Sequence, residues 1–353
     1  MMPMTPEVMK KQAEEAELMH KLIDLSGGAV QKSRALVAAA RLNIAAAIGA
    51  EPKSCEKLAL EVGCDEECLY RLMRALSQIG IFKETEESRV FENTRLSTAL
   101  AQDNFRDLVM MTGLSCNYRA WEVFPETVKR GKSDLTEVLG GIPTIWQFLK
   151  TRPEDEMVFG KAMSALTNKL TPMLVAQSDF TKFDTVCDLG GSQGTFISAI
   201  LRANPTIKEG INFDLPTVIE KNKLNEARNK QLDPRFKEVG GDFFKEVPAA
   251  DCYVLKNTLH DWNDECSVKI LKSIASAMKP GAKIYVYDFL LSNEKNENLS
   301  SVVWMDLNML QLCNGKERTL ANWEHISVET GLKIERVQRA PKENMTSLVI
   351  FTK

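Results

Sequence analysis

The segment from Phe183 to Gly194, FDTVCDLGGSQG, constrains the fold more than any other part of the chain. Val186, Cys187 and Leu189 form a short apolar run, as expected for a strand covered on both faces. The glycines that follow let the backbone turn sharply and approach a ligand closely, and the residues from Thr195 onward have helical character. This order predicts a Rossmann-like domain with a nucleotide-like cofactor at the turn.

The spacing inside this turn favours one kind of cofactor over another. A dinucleotide fingerprint has glycine at the first, third and sixth positions of its turn. Counted from Gly190, the third position of this chain is Ser192. Counted from Asp188, the pattern is acid-x-Gly-x-Ser-x-Gly, one glycine-to-serine change from the turn of S-adenosylmethionine (SAM) methyltransferases. The turn favours SAM, with Asp188, Gly190 and Gly191 as candidate cofactor-binding residues, and the rest of the domain has to support this interpretation.

Two acidic residues follow the next two predicted strands. Asp214 ends the strand GINFD, and Asp242 follows a third strand in VGGDFF. A carboxylate at the end of the second strand can accept hydrogen bonds from both hydroxyls of a ribose. The alternative for Asp214 is the N-cap of a helix that begins at Pro216. Asp242 can accept from an exocyclic amine, and Phe243 offers an aromatic face to an adenine.

A histidine stands just beyond the fourth predicted strand, DCYVLKNTL. This residue, His260, is one of three histidines in the chain and begins the sequence His-Asp-Trp. Open α/β sheets bind their ligands at the carboxyl ends of parallel strands, so we interpret His260 as functional, although a helix cap or a polar gap in the core would also explain a single histidine. Lys256, at the end of the strand, is either a ligand contact or a solvated lysine.

The segments KNTLHDWNDECSVKILKSIASAMKPGAKIYVYDFLL and LNMLQLCNGKERT resemble the small-molecule O-methyltransferases of the caffeate and acetylserotonin type, and the resemblance covers most of the chain. It implies that His260 is the general base that removes the proton of the acceptor hydroxyl, and that Asp288 and Glu317 hold its imidazole. The family usually has glutamate at the first of these positions, so Asp288 is expected to make a looser or water-mediated contact. The cofactor contacts that it implies are Gly190, Asp214, Asp242, Phe243 and Lys256.

The chemistry implied by this resemblance needs no metal ion. A sulfonium methyl is already an activated electrophile, so positioning supplies much of the rate. A phenol titrates near pH 10, and an imidazole with a pKa of about 6.5 to 7 can accept its proton during the transfer. No metal site is predicted, because the eight cysteines contain no C-x-x-C pair and the histidines are also spread out.

The first hundred residues belong to a different kind of domain. Ala29–Ala50 is alanine-rich and helical, with Leu36, Ala40 and Ile44 at helical spacing. The sequence KSCEKLALEVGCDEECLYRLMRALSQIGIF and the short apolar run after it have the spacing of a winged helix. Taken alone, this pattern predicts a DNA-binding regulator. The resemblance implies instead a dimerisation domain that also lends side chains to the pocket of its partner.

Charge distinguishes between these two interpretations. The second helix of the pattern opens with Asp65, Glu66 and Glu67 and carries only Arg71 and Arg74 as cations. Three acids at the start of a helix oppose entry into a groove lined with phosphates. The net charge of -3 also argues against polyanionic partners. We therefore expect a homodimer formed through this domain and no nucleic-acid partner.

The methyl acceptor is expected to contact helices on either side of the SAM-binding region. Residues 101–180 contain a stripe of aromatic and methionine side chains, which is either core or the wall of a pocket. The resemblance places the back of the acceptor pocket in this region and in the helix before GKERT. A pocket of this composition favours a flat, mostly apolar acceptor, a small hydroxylated aromatic compound. The candidate acceptor contacts are Phe159, Met163, Asp261, Asn308 and Met309.

The complete prediction is an α/β Rossmann-like methyltransferase domain over residues 181–353, with a mixed, mostly parallel seven-stranded sheet. It follows a winged-helix-like dimerisation domain over 1–100 and a helical connection over 101–180. The start of the chain lacks the apolar core of a signal peptide, and no stretch approaches about 18 consecutive apolar residues, so we expect a cytoplasmic protein without a membrane span. The alternatives are a SAM-binding protein of the same fold with carbon, nitrogen or no methylation, and a SAM-responsive DNA-binding regulator.

Overall fold

The computed structural model of the protein describes residues 6–230, 232–292, 300–340 and 346–353. The chain divides into two compact units, Met1–Leu114 and Ser115–Lys353. The first unit therefore continues past residue 100 and includes the beginning of the segment that the sequence assigns to the helical connection.

The first unit is a winged helix preceded by further helices. Its elements in chain order are α1 (Pro6–Ile23), a π-helical turn (Asp24–Gly28), α2 (Ala29–Arg41), α3 (Ile44–Ile48), β1 (Lys53–Ser54), α4 (Cys55–Val62), α5 (Glu66–Ser77), β2 (Phe82–Glu84), β3 (Val90–Asn93), α6 (Arg95–Leu100) and α7 (Asp103–Thr112). Strand β3 pairs antiparallel with both β1 and β2. The predicted helix, turn, helix and two-stranded wing is confirmed.

Local signals explain where the helices of this unit begin and end. The hydroxyl of Ser54 caps α4, and Gly63, at a φ of 69°, ends it in the left-handed conformation. The carboxylate of Asp65 caps α5 by accepting from the backbone N–H of Cys68 at 2.8 Å. The alanine-rich stretch forms two helices instead of one, because Asn43 adopts a φ of 54° between them.

The second unit contains the large sheet. Its elements are α8 (Ser115–Arg119), a 3-10 turn (Ala120–Val123), α9 (Phe124–Arg130), α10 (Ile145–Lys150), α11 (Pro153–Ala176), β4 (Thr185–Leu189), α12 (Thr195–Ala203), β5 (Glu209–Asp214), α13 (Pro216–Lys223), α14 (Glu226–Asn229), β6 (Phe236–Gly240), β7 (Cys252–Lys256), a 3-10 turn (Leu259–Asp261), α15 (Asp264–Ala277), β8 (Lys283–Leu291), α16 (Ser300–Cys313), β9 (Arg318–Thr319), α17 (Leu320–Thr330), β10 (Lys333–Gln338) and β11 (Thr346–Thr352).

The strands of this sheet are mostly parallel. Along its main path the described strands follow the order β10-β11-β8-β7-β4-β5-β6, and β9 pairs separately with β8. The five strands from β8 to β6 in this order are parallel to their neighbours, whereas β11 is antiparallel to both β8 and β10. The predicted mixed, mostly parallel sheet is confirmed, with the seven predicted strands on its main path and the two-residue β9 as an eighth.

Apolar helices cover both faces of the sheet. On one face, Phe196 and Ile200 of α12 pack with residues of α11 against Val186. On the other, Ile270 of α15 and Trp323 of α17 pack against the remaining strand side chains. Since both faces are covered, the parallel strands contain little besides apolar residues, and their carboxyl ends are left as the edge at which polar residues collect.

Candidate active site

The glycine turn after β4 has no room for side chains beneath it. Gly190 has a φ of 74°, and a Cβ there would lie 3.1 Å from Thr258. A Cβ on Gly191 would clash with Asn212 and would lie 2.8 Å from Asp188 Oδ2. Ser192 has a φ of 52°, a conformation that glycine adopts without strain. This residue therefore occupies a backbone position suited to glycine, as the motif comparison predicts.

Side-chain amides hold the strained serine in place. The carbonyl of Ser192 accepts from Nδ2 of Asn212 at 2.9 Å and from Nδ2 of Asn222 at 2.8 Å. Its backbone N–H donates to Oδ2 of Asp214 at 2.8 Å. The sequence analysis missed both asparagines, although Asn212 is visible as a polar residue inside the otherwise apolar strand GINFD.

An ion pair contacts the side-chain amides that bind Ser192. Arg228 and Glu238 pair at 2.8 Å, and Oε1 of Glu238 also accepts from Asn222 at 3.0 Å. Arg228 Nε donates to the carbonyl of Gln193 at 2.7 Å. Two neighbouring carbonyls of the turn therefore accept from groups of β5, α13 and α14, and Glu238 of β6 holds two of these donors in place.

Asp214 ends β5 beside this turn and is half-buried. Burial raises the pKa of its carboxyl, while the backbone N–H groups of Leu215 and Ser192 lower it. The N-cap of α13 is Leu215, so Asp214 is not the helix cap that the sequence left as an alternative. Its position beside the turn is the one expected for a carboxylate that accepts from a ribose.

An acid and an aromatic ring follow β6, where the sequence places the adenine. Asp242 is half-buried and accepts from the backbone N–H of Phe244 at 3.0 Å. The Phe243 ring is perpendicular to that of Trp262, with the two centroids 6.1 Å apart. This contact brings the predicted adenine-binding residues next to the segment that carries His260.

Lys256 is not a solvated lysine at the end of a strand. Burial lowers the pKa of its ammonium, whereas the charges of Asp188 and Asp288 raise it. The chain therefore places a half-buried cation between the acid of the glycine turn and an acid of β8.

These residues fit SAM. The turn leaves a side-chain-free surface for the amino acid end of a cofactor. Asp214 presents a carboxylate for ribose hydroxyls, and Asp242 and Phe243 present an acceptor and an aromatic face for an adenine. All of them lie on the carboxyl edge formed by β4, β5, β6 and β7.

Removal of the Asp214 carboxylate should act mainly on the affinity for SAM. Hydrogen bonds to a charged group contribute about 1.5 to 3 kcal/mol, so we expect Asp214→Ala to raise the Kd for SAM by about 10- to 100-fold. Isothermal titration calorimetry measures this change. The matched control is Asp184→Ala, which removes a surface carboxylate paired with Lys208. An unchanged Kd for Asp214→Ala would remove this residue from the site.

His260 lies in the 3-10 turn after β7 and is 7% exposed. Its Nδ1 forms a hydrogen bond of 2.8 Å with Oε1 of Glu317, which itself is 1% exposed. Its Nε2 lies 3.7 Å from Oδ1 of Asp261. The imidazole is therefore oriented by a buried carboxylate on one nitrogen, and the other nitrogen is not engaged by a close hydrogen bond among the described residues.

The carboxylates around His260 make it a stronger base than a free imidazole. Burial alone would lower its pKa, but the charges of Glu317, Asp261 and Asp288 and the hydrogen bond to Glu317 raise it to about 9. Burial raises the pKa of Asp261 to about 6 and also raises that of Glu317, against the charge of His260.

Asp288 acts on this histidine through charge alone. It is 4% exposed, and neither of its carboxylate oxygens has a side-chain or backbone hydrogen bond of normal geometry within the described part of the chain. Burial raises its pKa, and the charges of His260, Arg318 and Lys256 lower it. Of the two predicted carboxylates, only Glu317 contacts the ring directly, which agrees with the expected looser contact of the shorter side chain.

Arg318 is a residue that the sequence analysis did not single out. It is 1% exposed, and its guanidinium donates to the carbonyls of Leu259 at 2.9 Å and Trp262 at 2.7 Å, on either side of His260. It also donates to Oδ1 of Asp264 at 2.9 Å. The arginine next to Glu317 thus connects the segment that carries the histidine to the residues that carry its carboxylate.

The backbone before Glu317 fits against the same segment. Lys316 N donates to the carbonyl of His260 at 2.8 Å. A Cβ on Gly315 would clash with that carbonyl, so only glycine allows this approach. The GKERT sequence therefore serves as a support for the histidine turn as well as the source of one carboxylate.

Four of the five predicted acceptor contacts lie on two helices, and the fifth, Asp261, lies in the 3-10 turn beside His260. Asn308 and Met309 belong to α16, which packs against β8 and the turn of His260. Phe159 and Met163 belong to α11, which packs against α12, the helix that follows the glycine turn. Phe159 is half-buried and meets the ring of Trp146 edge-on, with centroids 5.6 Å apart. These placements leave the acceptor role of all four residues a prediction.

The acids at the start of α5 have structural partners. Asp65 is the helix cap, and Glu66 and Glu67 lie 3.1 and 3.0 Å from the guanidinium of Arg89 in the wing.

Among the described residues, no helix is long and apolar enough to cross a membrane. In the same residues, no group of three or more histidine, cysteine or acidic side chains is arranged to hold a metal ion.

The strand order, the glycine turn and the acids at the carboxyl edge define a class I SAM-dependent methyltransferase. A family model of the O-methyltransferase domain matches residues 121–333, and a model of the O-methyltransferase dimerisation domain matches residues 23–103. The chain belongs to the O-methyltransferase family.

Individual relatives agree with this assignment. The chain is 33% identical over 354 residues to des-methyl DIF-1 methyltransferase A of Dictyostelium discoideum, an alignment that covers 97% of this chain and 96% of the relative. It is similar to the solved structure of mitomycin 7-O-methyltransferase MmcR, with a TM-score of 0.88, 28% identity and coverage of 96% and 99% of the two chains. It is also similar to the O-methyltransferase NcsB1 in complex with SAM and 2-hydroxy-5-methyl naphthoic acid, with a TM-score of 0.73, 26% identity and coverage of 91% and 95%.

Proposed function

We propose that the protein transfers the methyl group of SAM to the hydroxyl of a small aromatic or other planar metabolite, with His260 as the general base. The observation that carries this proposal is the 2.8 Å hydrogen bond between Nδ1 of His260 and the buried Glu317, beside a SAM-binding edge. The carboxylate fixes the tautomer in which Nδ1 carries a proton, and it leaves Nε2 as the atom that accepts the proton of the acceptor hydroxyl.

Bound at this edge, SAM supplies an electrophilic methyl group with a neutral thioether as its leaving group. The protein has to bind the acceptor next to it, orient the hydroxyl and remove one proton. His260 receives this proton on Nε2, and the resulting imidazolium is stabilised by Glu317 and by the charge of Asp288. A positioned base of this kind contributes about 10² to 10⁴ in rate.

An aromatic acceptor is supported by the residues and by the relatives. Phe159, Met163 and Met309 offer apolar and polarisable surfaces that suit a flat ring. NcsB1, which is similar over most of its length, has been solved with a hydroxylated naphthoic acid bound. Because the family model assigns 23–103 to dimerisation, the active form is a homodimer built through the first unit.

The direct test is the formation of S-adenosylhomocysteine by the purified protein. We expect turnover with at least one member of a panel of phenols, catechols, hydroxyindoles and hydroxyquinones. Analogues in which the hydroxyl is replaced by hydrogen serve as controls and should give no product. Tight SAM binding without turnover on any hydroxyl would favour a protein of this fold with different chemistry.

The raised pKa of His260 predicts an alkaline pH dependence. Only the neutral imidazole can accept a proton, and because its pKa is about 9, kcat/KM for the acceptor at saturating SAM should rise with pH until about pH 9. Glu317→Gln keeps a hydrogen-bond acceptor but removes the charge, so the ascending limb should move to lower pH by at least about one pH unit. The control Glu324→Gln changes an exposed carboxylate of α17 and should leave the limb in place. Identical limbs in all three proteins would show that His260 is not the titrating base.

A further inference from the structure

Two buried oxygen atoms approach the same point beneath the glycine turn. Asp188 of β4 and Asn212 of β5 are neighbours in the parallel strand pair and are 2% and 0% exposed. Asp188 Oδ2 and Asn212 Oδ1 both approach the point at which a Cβ of Gly191 would stand. Neither atom has a hydrogen-bond donor among the described residues. Two buried acceptors that converge on one point without a donor are unfavourable unless one of them carries a proton.

The orientation of the Asn212 amide is fixed by its other partners. Its Nδ2 donates to the carbonyl of Ser192 at 2.9 Å and lies 3.4 Å from Oε1 of Glu238. Both partners can only accept, and Glu238 is held as a carboxylate by Arg228. A flipped amide would place an oxygen against these two acceptors, so the network requires the oxygen to face Asp188.

We propose that Asp188 is a neutral carboxylic acid in the folded enzyme and that its O–H donates to Oδ1 of Asn212. This hydrogen bond orients the amide that holds the carbonyl of Ser192, so a proton on Asp188 keeps the SAM-binding turn in its strained conformation. Asp188 is then a positioning residue, which acts on the cofactor through Asn212. The inference concerns cofactor binding alone and stands apart from the identity of the methyl acceptor.

The charges around Asp188 are compatible with the neutral form. Burial raises the pKa of Asp188 to about 7, against the lowering effect of the Lys256 ammonium on β7 and of the backbone N–H of Ile197 on α12. The nearby carboxylate of Asp214 raises it further. Lys256 makes no ion pair with Asp188 among the described residues, and its own pKa is lowered by burial. Tyr287 of β8 also faces this group and stays protonated, since burial raises its pKa.

The test is the pH dependence of S-adenosylhomocysteine binding, measured by calorimetry on the full chain without any methyl acceptor. Asp188→Asn keeps a donor of the same shape and cannot ionise. We expect this variant to match the wild type at pH 6, whereas at pH 8.5 the wild type should bind roughly 30-fold more weakly than Asp188→Asn, because ionisation leaves only about one molecule in thirty in the binding-competent form. Titration of the ligand and of His260 is common to both proteins and cancels in the ratio of their Kd values.

Two further variants serve as controls, and infrared spectroscopy detects the proton on Asp188. Asp188→Ala has no donor and should bind weakly at both pH values, whereas Asp184→Asn, an exposed change, should follow the wild type. Isotope-edited infrared difference spectra should show a protonated carboxyl in the wild type at pH 6 that is absent from Asp188→Asn. A ratio of the two Kd values that stays constant from pH 6 to 8.5 would overturn the proposal. An ionised Asp188 carboxyl at pH 6, with a water or Lys256 donating hydrogen bonds to both buried oxygens, would also overturn it. A protein that binds the ligand but methylates no hydroxyl would leave this inference intact and refute only the proposed reaction.

Discussion

His260→Ala is expected to lower turnover by about 10² to 10⁴ while leaving the affinity for SAM nearly intact. The substitution removes the atom that accepts the proton, but the glycine turn and the acids after β5 and β6 keep their own contacts. The loss should appear mainly in kcat, because the base acts in the transition state and contributes little to holding SAM. Steady-state kinetics with calorimetry of SAM binding measures both quantities.

The chain offers a matched control for this change. His325 is exposed on α17, and His325→Ala should alter neither turnover nor binding. A second variant, His260→Gln, keeps a polar side chain that can bond to Glu317 but cannot accept the proton, and we expect it to be as slow as His260→Ala. Weak cofactor binding with full turnover in His260→Ala would contradict the assignment of the base.

Arg318→Ala is expected to lower the free energy of unfolding by about 3 kcal/mol. It removes the arginine donors of the Trp262 carbonyl and the Ser267 hydroxyl and one of the donors of the Leu259 carbonyl, and each buried polar group left unpaired costs about 1 to 3 kcal/mol. Urea unfolding measures the effect. Arg336→Ala, which removes an exposed arginine bonded to Gln338, is the matched control and should change stability by less than about 0.5 kcal/mol.

A conservative variant separates the catalytic consequence of Arg318 from stability. Arg318→Lys keeps a cation near Asp264 but cannot bond to Leu259 and Trp262 at the same time, because it lacks the planar fork of the guanidinium. At a temperature where this variant is fully folded, we expect kcat to fall at least about tenfold with little change in the Kd for SAM, since the base is misplaced while the cofactor edge is intact. Equal unfolding midpoints for Arg318→Ala and Arg336→Ala would show that the hydrogen bonds of Arg318 do not contribute to the stability of the fold.

The cofactor edge was predictable because each of its residues is marked by a local pattern. Asp188 lies near the end of one apolar run, which Gly190 and Gly191 follow, and Asp214 and Asp242 stand at or after the ends of two others, so strand ends alone place them at one edge. The order of the strands follows from the resemblance and not from local pattern.

The supports of the site were not predictable in the same way. Arg318 reaches carbonyls more than 50 residues earlier, and the Arg228–Glu238 pair reaches the turn from two other elements. Such long-range contacts produce no periodic pattern in a single sequence. A backbone carbonyl is present in every residue, so its role as an acceptor cannot be read from the residue type. The break at Asn43 was missed for a related reason, since the alanine pattern continues across it and only the backbone conformation reveals it.

Isotope labelling shows directly where the methyl group of SAM is transferred. SAM labelled with ¹³C in its methyl group, the purified protein and an acceptor that gives turnover are incubated, and the product is examined by NMR. We expect the label to appear as a methyl ether on a ring hydroxyl, and His260→Ala to form this ether at least about 100-fold more slowly. A label on carbon or nitrogen, or equal rates of ether formation by both proteins, would contradict it.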